Sequence, residues 1–157
     1  MAFKFTEENL KCIEEARKKY PTALAAVMDT LYIAQEQNGY ISNEVMEEVA
    51  NVLGIDKVNV ISVVTFYTMY HEKPMGRHHI QVCTNVSCML RGGYEIYNQI
   101  KEKFGIDNMQ VTDDAKVSIE ECECLGSCGT APMFAINDEF YENLTKEKVS
   151  EILDSLE

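Results

Sequence analysis

Four of the six cysteines in this chain fall in two short stretches, "CTNVSCMLRGG" from position 83 and "ECLGSCGTAPM" from position 123. Their spacing is C-x4-C, a gap of 35 residues, then C-x3-C. Structural zinc sites built from thiolates usually use C-x2-C knuckles, in which tight turns aim backbone amides at sulfur. Thiol–disulfide oxidoreductases usually carry C-x-x-C. Neither spacing occurs here, and both cysteine pairs are wider. Wider pairs suit a larger object, and a [2Fe–2S] cluster requires four thiolates, two for each iron, over a broader span than one zinc ion. The plant-ferredoxin spacing is also absent, so such a cluster would sit in a different fold. Gly126 and Gly129 let backbone amides approach sulfur without a Cβ in the way. Pro132 fixes the loop as it leaves the second pair, and Ala131-Pro132 is a candidate for a cis bond.

Two strands must position these loops. "HIQVC" is a β-branched run ending at Cys83, and "KVSIEE" ends a few residues before Cys124. As parallel neighbours they would bring both loops out at one sheet edge, where the four thiols can converge. Parallel strands need a right-handed crossover, and a helix over about residues 90 to 104 supplies one. "MFAIN" and "EFYEN" flank a turn at Asn137-Asp138 and read as a hairpin. A final helix after Thr145 carries Val149, Ile152, Leu153 and Leu156 on one side. These elements predict a small α/β domain over 76–157 with a four-stranded mixed sheet.

Residues 1–75 read as a helical bundle, making the whole chain α+β. Thr6 caps a first helix bearing Leu10, Ile13 and Ala16. Thr22 opens a second helix that runs to Asn38 and stops at Gly39; it is apolar around most of its circumference and needs cover on several sides. A third follows Ser42 or Asn43 and ends at Gly54. Asp56 caps a fourth, "KVNVISVVTFY".

Composition narrows the partners. The 157 residues are 46% apolar and 25% charged, enough to bury a core, and the net charge is -12. With no basic face to neutralise phosphates, nucleic acid is not expected. "ALAAVMDTLYIA" is too short, and too interrupted by Asp29, to cross a bilayer, so no direct membrane insertion is expected. The first ten residues lack the apolar core of a secretory signal, which points to a cytoplasmic location. Cysteines there are metal ligands or redox thiols more often than disulfides.

"CTNVSCMLRGG", "ECLGSCGTAPM" and the upstream "TFYTMY" resemble the thioredoxin-like [2Fe–2S] ferredoxin family over nearly the whole chain. That family includes the small subunits of respiratory NADH dehydrogenase, of NAD(P)-linked [FeFe]-hydrogenases and of formate dehydrogenases. The resemblance implies a helical bundle followed by a thioredoxin-like domain. It implies one [2Fe–2S] cluster on Cys83, Cys88, Cys124 and Cys128. It further implies an electron-transfer subunit whose partners are a flavoprotein binding FMN and NAD(H) and further iron–sulfur or hydrogenase subunits. Among these complexes, the compact chain and its surplus thiols favour a soluble NAD(H)-linked hydrogenase, with electron bifurcation among the options. Respiratory NADH:quinone oxidoreductase and formate dehydrogenase follow.

Other residues receive plainer readings. Cys122 offers a rival register, in which it replaces Cys124; on an extended strand the two would share a face. Cys12 reads as a small packing residue. His71, His78 and His79 lie near the junction of the two parts and read as packing or surface residues, and the carboxylates of "EEVANVL" and "IEECE" as solvated. No nucleophile–base pair, P-loop or G-x-G-x-x-G is present, so no catalytic residue is assigned. A zinc-stabilised interaction module and a thiol oxidoreductase remain as the other classes. Helix two and "TFYTMY" are candidates for a docking surface.

Overall fold

A computed structural model describes residues 3–156, which separate into two compact units, one ending at Pro74 and one beginning at Met75. The first unit is helical: α1 (Glu7–Lys18), α2 (Val27–Asn38), α3 (Asn43–Leu53) and α4 (Lys57–Phe66). Local chemistry sets the ends. Thr6 accepts from the Asn9 N–H at 3.2 Å, and Ser42 accepts from the Val45 N–H at 3.3 Å. Gly39 and Gly54 close α2 and α3 with φ of 83° and 67°, a conformation that costs other residues more. Ile13, Leu31, Val45, Val49, Leu53 and Val60 form the buried centre.

Two readings change here. Residues 23–26 form a 3₁₀ turn before α2, and Thr22 makes no capping bond. The Thr30 hydroxyl donates to the Ala26 carbonyl at 2.8 Å. Asp56 likewise makes no side-chain cap on α4. The all-round cover expected for helix two is partial: Leu31 is buried, but Leu24 and Tyr32 remain half exposed.

The second unit contains β1 (His78–Cys83), α5 (Val86–Leu90), α6 (Gly93–Phe104), β2 (Gln110–Val111), β3 (Val117–Cys122), β4 (Phe134–Ile136), β5 (Glu139–Tyr141) and α7 (Lys146–Asp154). The helix expected over 90–104 is α6, and the short α5 precedes it as an additional helix, the two separated at Gly92, which takes a φ of 94°. The sheet has five strands among the described residues, in the order β2-β3-β1-β4-β5, instead of four. The added strand is β2, only two residues long, paired antiparallel to β3 at its edge. A two-residue strand has no hydrophobic period to detect, and its position comes from the tertiary pairing. β1 and β3 are parallel in register, and β4 joins β1 antiparallel.

The pleat separates two chemistries. Ile80, Val82, Val117, Ile119, Phe134 and Ile136 point to one face and pack with α6 and α7 through Ile96, Ile100, Val149 and Leu153. The alternate residues of β1 and β3 point to the other face. No helix among the described residues is long and apolar enough to cross a membrane.

Ile119 is fully buried on β3, an interior strand between β1 and β2. Ile119→Ala should lower the unfolding free energy by about 2–5 kcal/mol, seen as an earlier urea midpoint in the far-ultraviolet signal. An unchanged midpoint would contradict this placement of the core.

Candidate metal centre

The parallel pair builds the site. β1 ends on Cys83 and β3 ends beside it on Cys122, these two being register partners. Because the strands run the same way, both following loops leave at one edge. The first loop leads into α5, which carries Cys88. The second carries Cys124 and then a 3₁₀ turn, Cys128–Thr130, against which α5 packs.

Polar ties hold the loops together. The Thr84 N–H donates to the Cys122 carbonyl at 3.1 Å, and the Cys83 N–H to the Met133 carbonyl at 3.3 Å. The Glu121 carboxylate accepts from the Thr84 hydroxyl at 2.9 Å and the Tyr94 hydroxyl at 3.0 Å, joining the first loop, β3 and α6. Arg91 donates from Nη1 to the Ala131 carbonyl at 3.3 Å, tying the first cysteine stretch to the end of the second. The Ala131-Pro132 bond is cis, as the sequence suggested. Gly93 is required by space: a Cβ there would lie 2.9 Å from the carbonyl oxygens of both Cys83 and Cys88.

The four thiols differ in exposure. Cys83 and Cys88 are buried with Ala131 and Met133 in a small apolar cluster, with Leu125 packed against it. Cys124 and Cys128 are exposed. Burial pushes the Cys88 thiol up to about 11, and its bond with Cys83 adds to this; the Met133 backbone works the other way, and Cys128 is close enough to contribute. Such a thiol stays protonated near neutral pH, so a metal binding it must displace the proton and share the negative charge. Cys124 already receives the Gly126 N–H at 3.4 Å, with Gly126 in a left-handed conformation at φ 85°. The thiols are spread over two loops, and no group of three or more His, Cys, Asp or Glu among the described residues is placed to hold a single ion. Four thiols, two of them buried, with an amide aimed at another, fit a two-iron cluster.

Cys122 has a separate environment. It is buried, and its thiol is pushed up to about 12 by burial first, then by Cys83 and the nearby Glu120 and Glu123. The extended continuation that would place Cys122 and Cys124 on one face does not form, because β3 stops at Cys122. Cys12 is exposed on α1, so the packing reading does not hold.

Sequence reasoning missed a polar group on the other face of the sheet. His79 and Glu120 are both buried and bond at 3.0 Å, so Glu120 of "IEECE" is not solvated. Glu48 of "EEVANVL" is buried too, with the Lys4 ammonium 2.5 Å away. Alternating polar residues in β1 and β3 were the available signal; only the register shows that His79 and Glu120 meet. His71 and His78 are half-buried.

Comparison with known proteins gives consistent results. The family model for thioredoxin-like [2Fe-2S] ferredoxin matches residues 13–157. One of the subunits of the NADH-quinone oxidoreductase of Rickettsia bellii (strain RML369-C) is 45% identical over 157 residues, covering 98% of this chain and 94% of that one. NADH dehydrogenase [ubiquinone] flavoprotein 2, mitochondrial, of Dictyostelium discoideum is 42% identical over 98% of this chain and 64% of its own length. Among solved structures, the air-oxidized NAD+-reducing [NiFe]-hydrogenase matches with a TM-score of 0.70 over 80% of this chain and 22% of that one. At 18% identity this last likeness bears on the fold.

Two variants test how the site is built. Cys122→Ser should retain the full metal content after anaerobic loading, whereas Cys124→Ser should lose much of it; the reverse would make Cys122 the ligand. Gly93→Ala should weaken metal retention by pushing α6 against the Cys83 and Cys88 carbonyls, measured as iron kept after gel filtration.

Proposed function

The chain belongs to the thioredoxin-like [2Fe-2S] ferredoxin family, and from that premise we propose that Cys83, Cys88, Cys124 and Cys128 hold its cluster in an electron-transfer subunit of an NADH-oxidising complex. The observation that carries this reading is the parallel β1–β3 pair, which delivers two thiol-bearing loops to one sheet edge. When bound, a [2Fe–2S] cluster supplies one-electron chemistry.

The chain's own residues do the rest. Cys83 and Cys88, with Leu125, Ala131 and Met133, keep water from the inner side. The Gly126 amide places a positive dipole against the Cys124 sulfur, offsetting negative charge that grows on reduction. Cys124 and Cys128 leave the outer side open, which makes it the side for electron exchange. Val86, Met89 and Leu90 of α5 are exposed beside it and offer apolar area to a docked protein.

The partner in this reading is a flavoprotein that binds FMN and NAD(H) and divides a hydride's two electrons into single transfers. Relatives up to 45% identical are named as subunits of NADH-quinone oxidoreductases, which supports a quinone-linked complex. The hydrogenase expected from the sequence has only a fold-level likeness behind it.

A tagged chain isolated from its native cells should bring down an FMN-containing subunit together with quinone-reducing partners. Anaerobic NADH should then bleach the visible iron–sulfur absorption of the assembly and leave the isolated chain unchanged. Recovery with a hydrogenase subunit would replace the quinone-linked assignment. Reduction of the isolated chain by NADH would overturn the division of labour.

A further inference from the structure

On the sheet face away from α6 and α7, the parallel register stacks three pairs in sequence: His79 beside Ser118, Gln81 beside Glu120, and Cys83 beside Cys122. The first two pairs form one network, buried except at the half-buried Gln81. His79, Ser118 and Glu120 are 7%, 0% and 8% exposed. His79 Nε2 at 3.0 Å and Gln81 Nε2 at 3.1 Å both meet Glu120 Oε2. The Gln81 amide nitrogen only donates, so this oxygen accepts from it; the direction of the His79 bond follows the ring's tautomer, and with Nε2–H the oxygen takes two donors, as suits an ionised carboxylate. At the far end His79 Nδ1 lies 2.8 Å from Ser118 Oγ, which also accepts the Gly76 N–H at 3.0 Å. Gly76 presses on the strand so closely that a Cβ would lie 2.5 Å from the Val117 carbonyl carbon.

Serine, histidine and glutamate in contact suggest nucleophilic chemistry, but the Ser118 hydroxyl is fully buried and already engaged, leaving no room for a substrate. A buried charge costs free energy that an apolar side chain would not. Glu120 lies one row from the Cys83–Cys122 row, and two residues along a strand span roughly 7 Å. Charges at that separation, shielded from water, interact strongly. The carboxylate is among the neighbours, after burial and Cys83, that hold the Cys122 thiol up.

We propose that Glu120, held by His79 and Gln81, sets the reduction potential of the adjoining metal centre, its fixed negative charge opposing the added electron and keeping the potential low. This rests on the electron-carrier reading above. With Glu120 ionised and His79 neutral, Glu120→Gln removes one negative charge from the row. Ser118→Ala alters the same network without changing its charge.

The test is a redox titration of the loaded full-length chain, followed by paramagnetic resonance. Glu120→Gln should titrate at a more positive midpoint than wild type with unchanged iron content, and Ser118→Ala at the wild-type midpoint. A fully loaded Glu120→Gln chain at the wild-type midpoint overturns the proposal, as does an equal shift in Ser118→Ala. If Glu120→Gln does not load, Gln81→Leu, at a half-buried position, is decisive. Removing one donor leaves the carboxylate less compensated, so its midpoint should fall, and an unmoved midpoint overturns the proposal. A wild-type chain without a [2Fe–2S] signal would defeat the carrier reading and this inference together, whereas a normal wild-type signal with unmoved variants would defeat this inference alone.

Discussion

Parallel pairing of β1 with β3 is the constraint on which the second unit depends. Strands running the same way cannot be joined by a tight turn, so α5 and α6 must cross over between them. The crossover buries Ile96 and Ile100 against Ile80 and Ile119, which stabilises the pair. The same geometry forces the loops after Cys83 and Cys122 to one edge. Antiparallel strands would send those loops to opposite edges, and C-x4-C could not meet C-x3-C.

Electrostatics then divides the edge in two. The inner thiols, Cys83 and Cys88, lie among apolar side chains, and burial makes a bare thiolate unfavourable at Cys88. A cationic metal removes that penalty, so the pocket favours a metal-bound state over free thiolates. Cys124 and Cys128 lie on the exposed side, within reach of another protein. One site can thus be protected from water on one side and open to electron exchange on the other.

Elements specified by neighbouring residues were legible in the sequence. Thr6, Ser42 and Thr145 cap the helices they precede, and the β-branched run "HIQVC" and the strand candidate "KVSIEE" mark β1 and β3. The Asn137-Asp138 turn is also local, with Asn137 at φ 53°. Features set by distant partners were not legible. β2 is a strand only because Gln110 and Val111 lie along β3. The five-residue α5 lies before the helix read over 90–104 and is too short to show a helical period. His79 and Glu120 are far apart in sequence and meet only through the register of two strands. Local pattern supplied the cysteine spacing but not the contrast between buried Cys88 and exposed Cys128, which follows from packing of the two loops.

The central claim is that two separated loops jointly grip one pair of sulfide-bridged irons. Its most direct measurement is iron and acid-labile sulfide content of the anaerobically loaded chain, with paramagnetic resonance after dithionite reduction. The account predicts about two irons and two sulfides per chain and a signal from one unpaired electron shared by the iron pair. Stoichiometric zinc, or iron bound without labile sulfide, would contradict it.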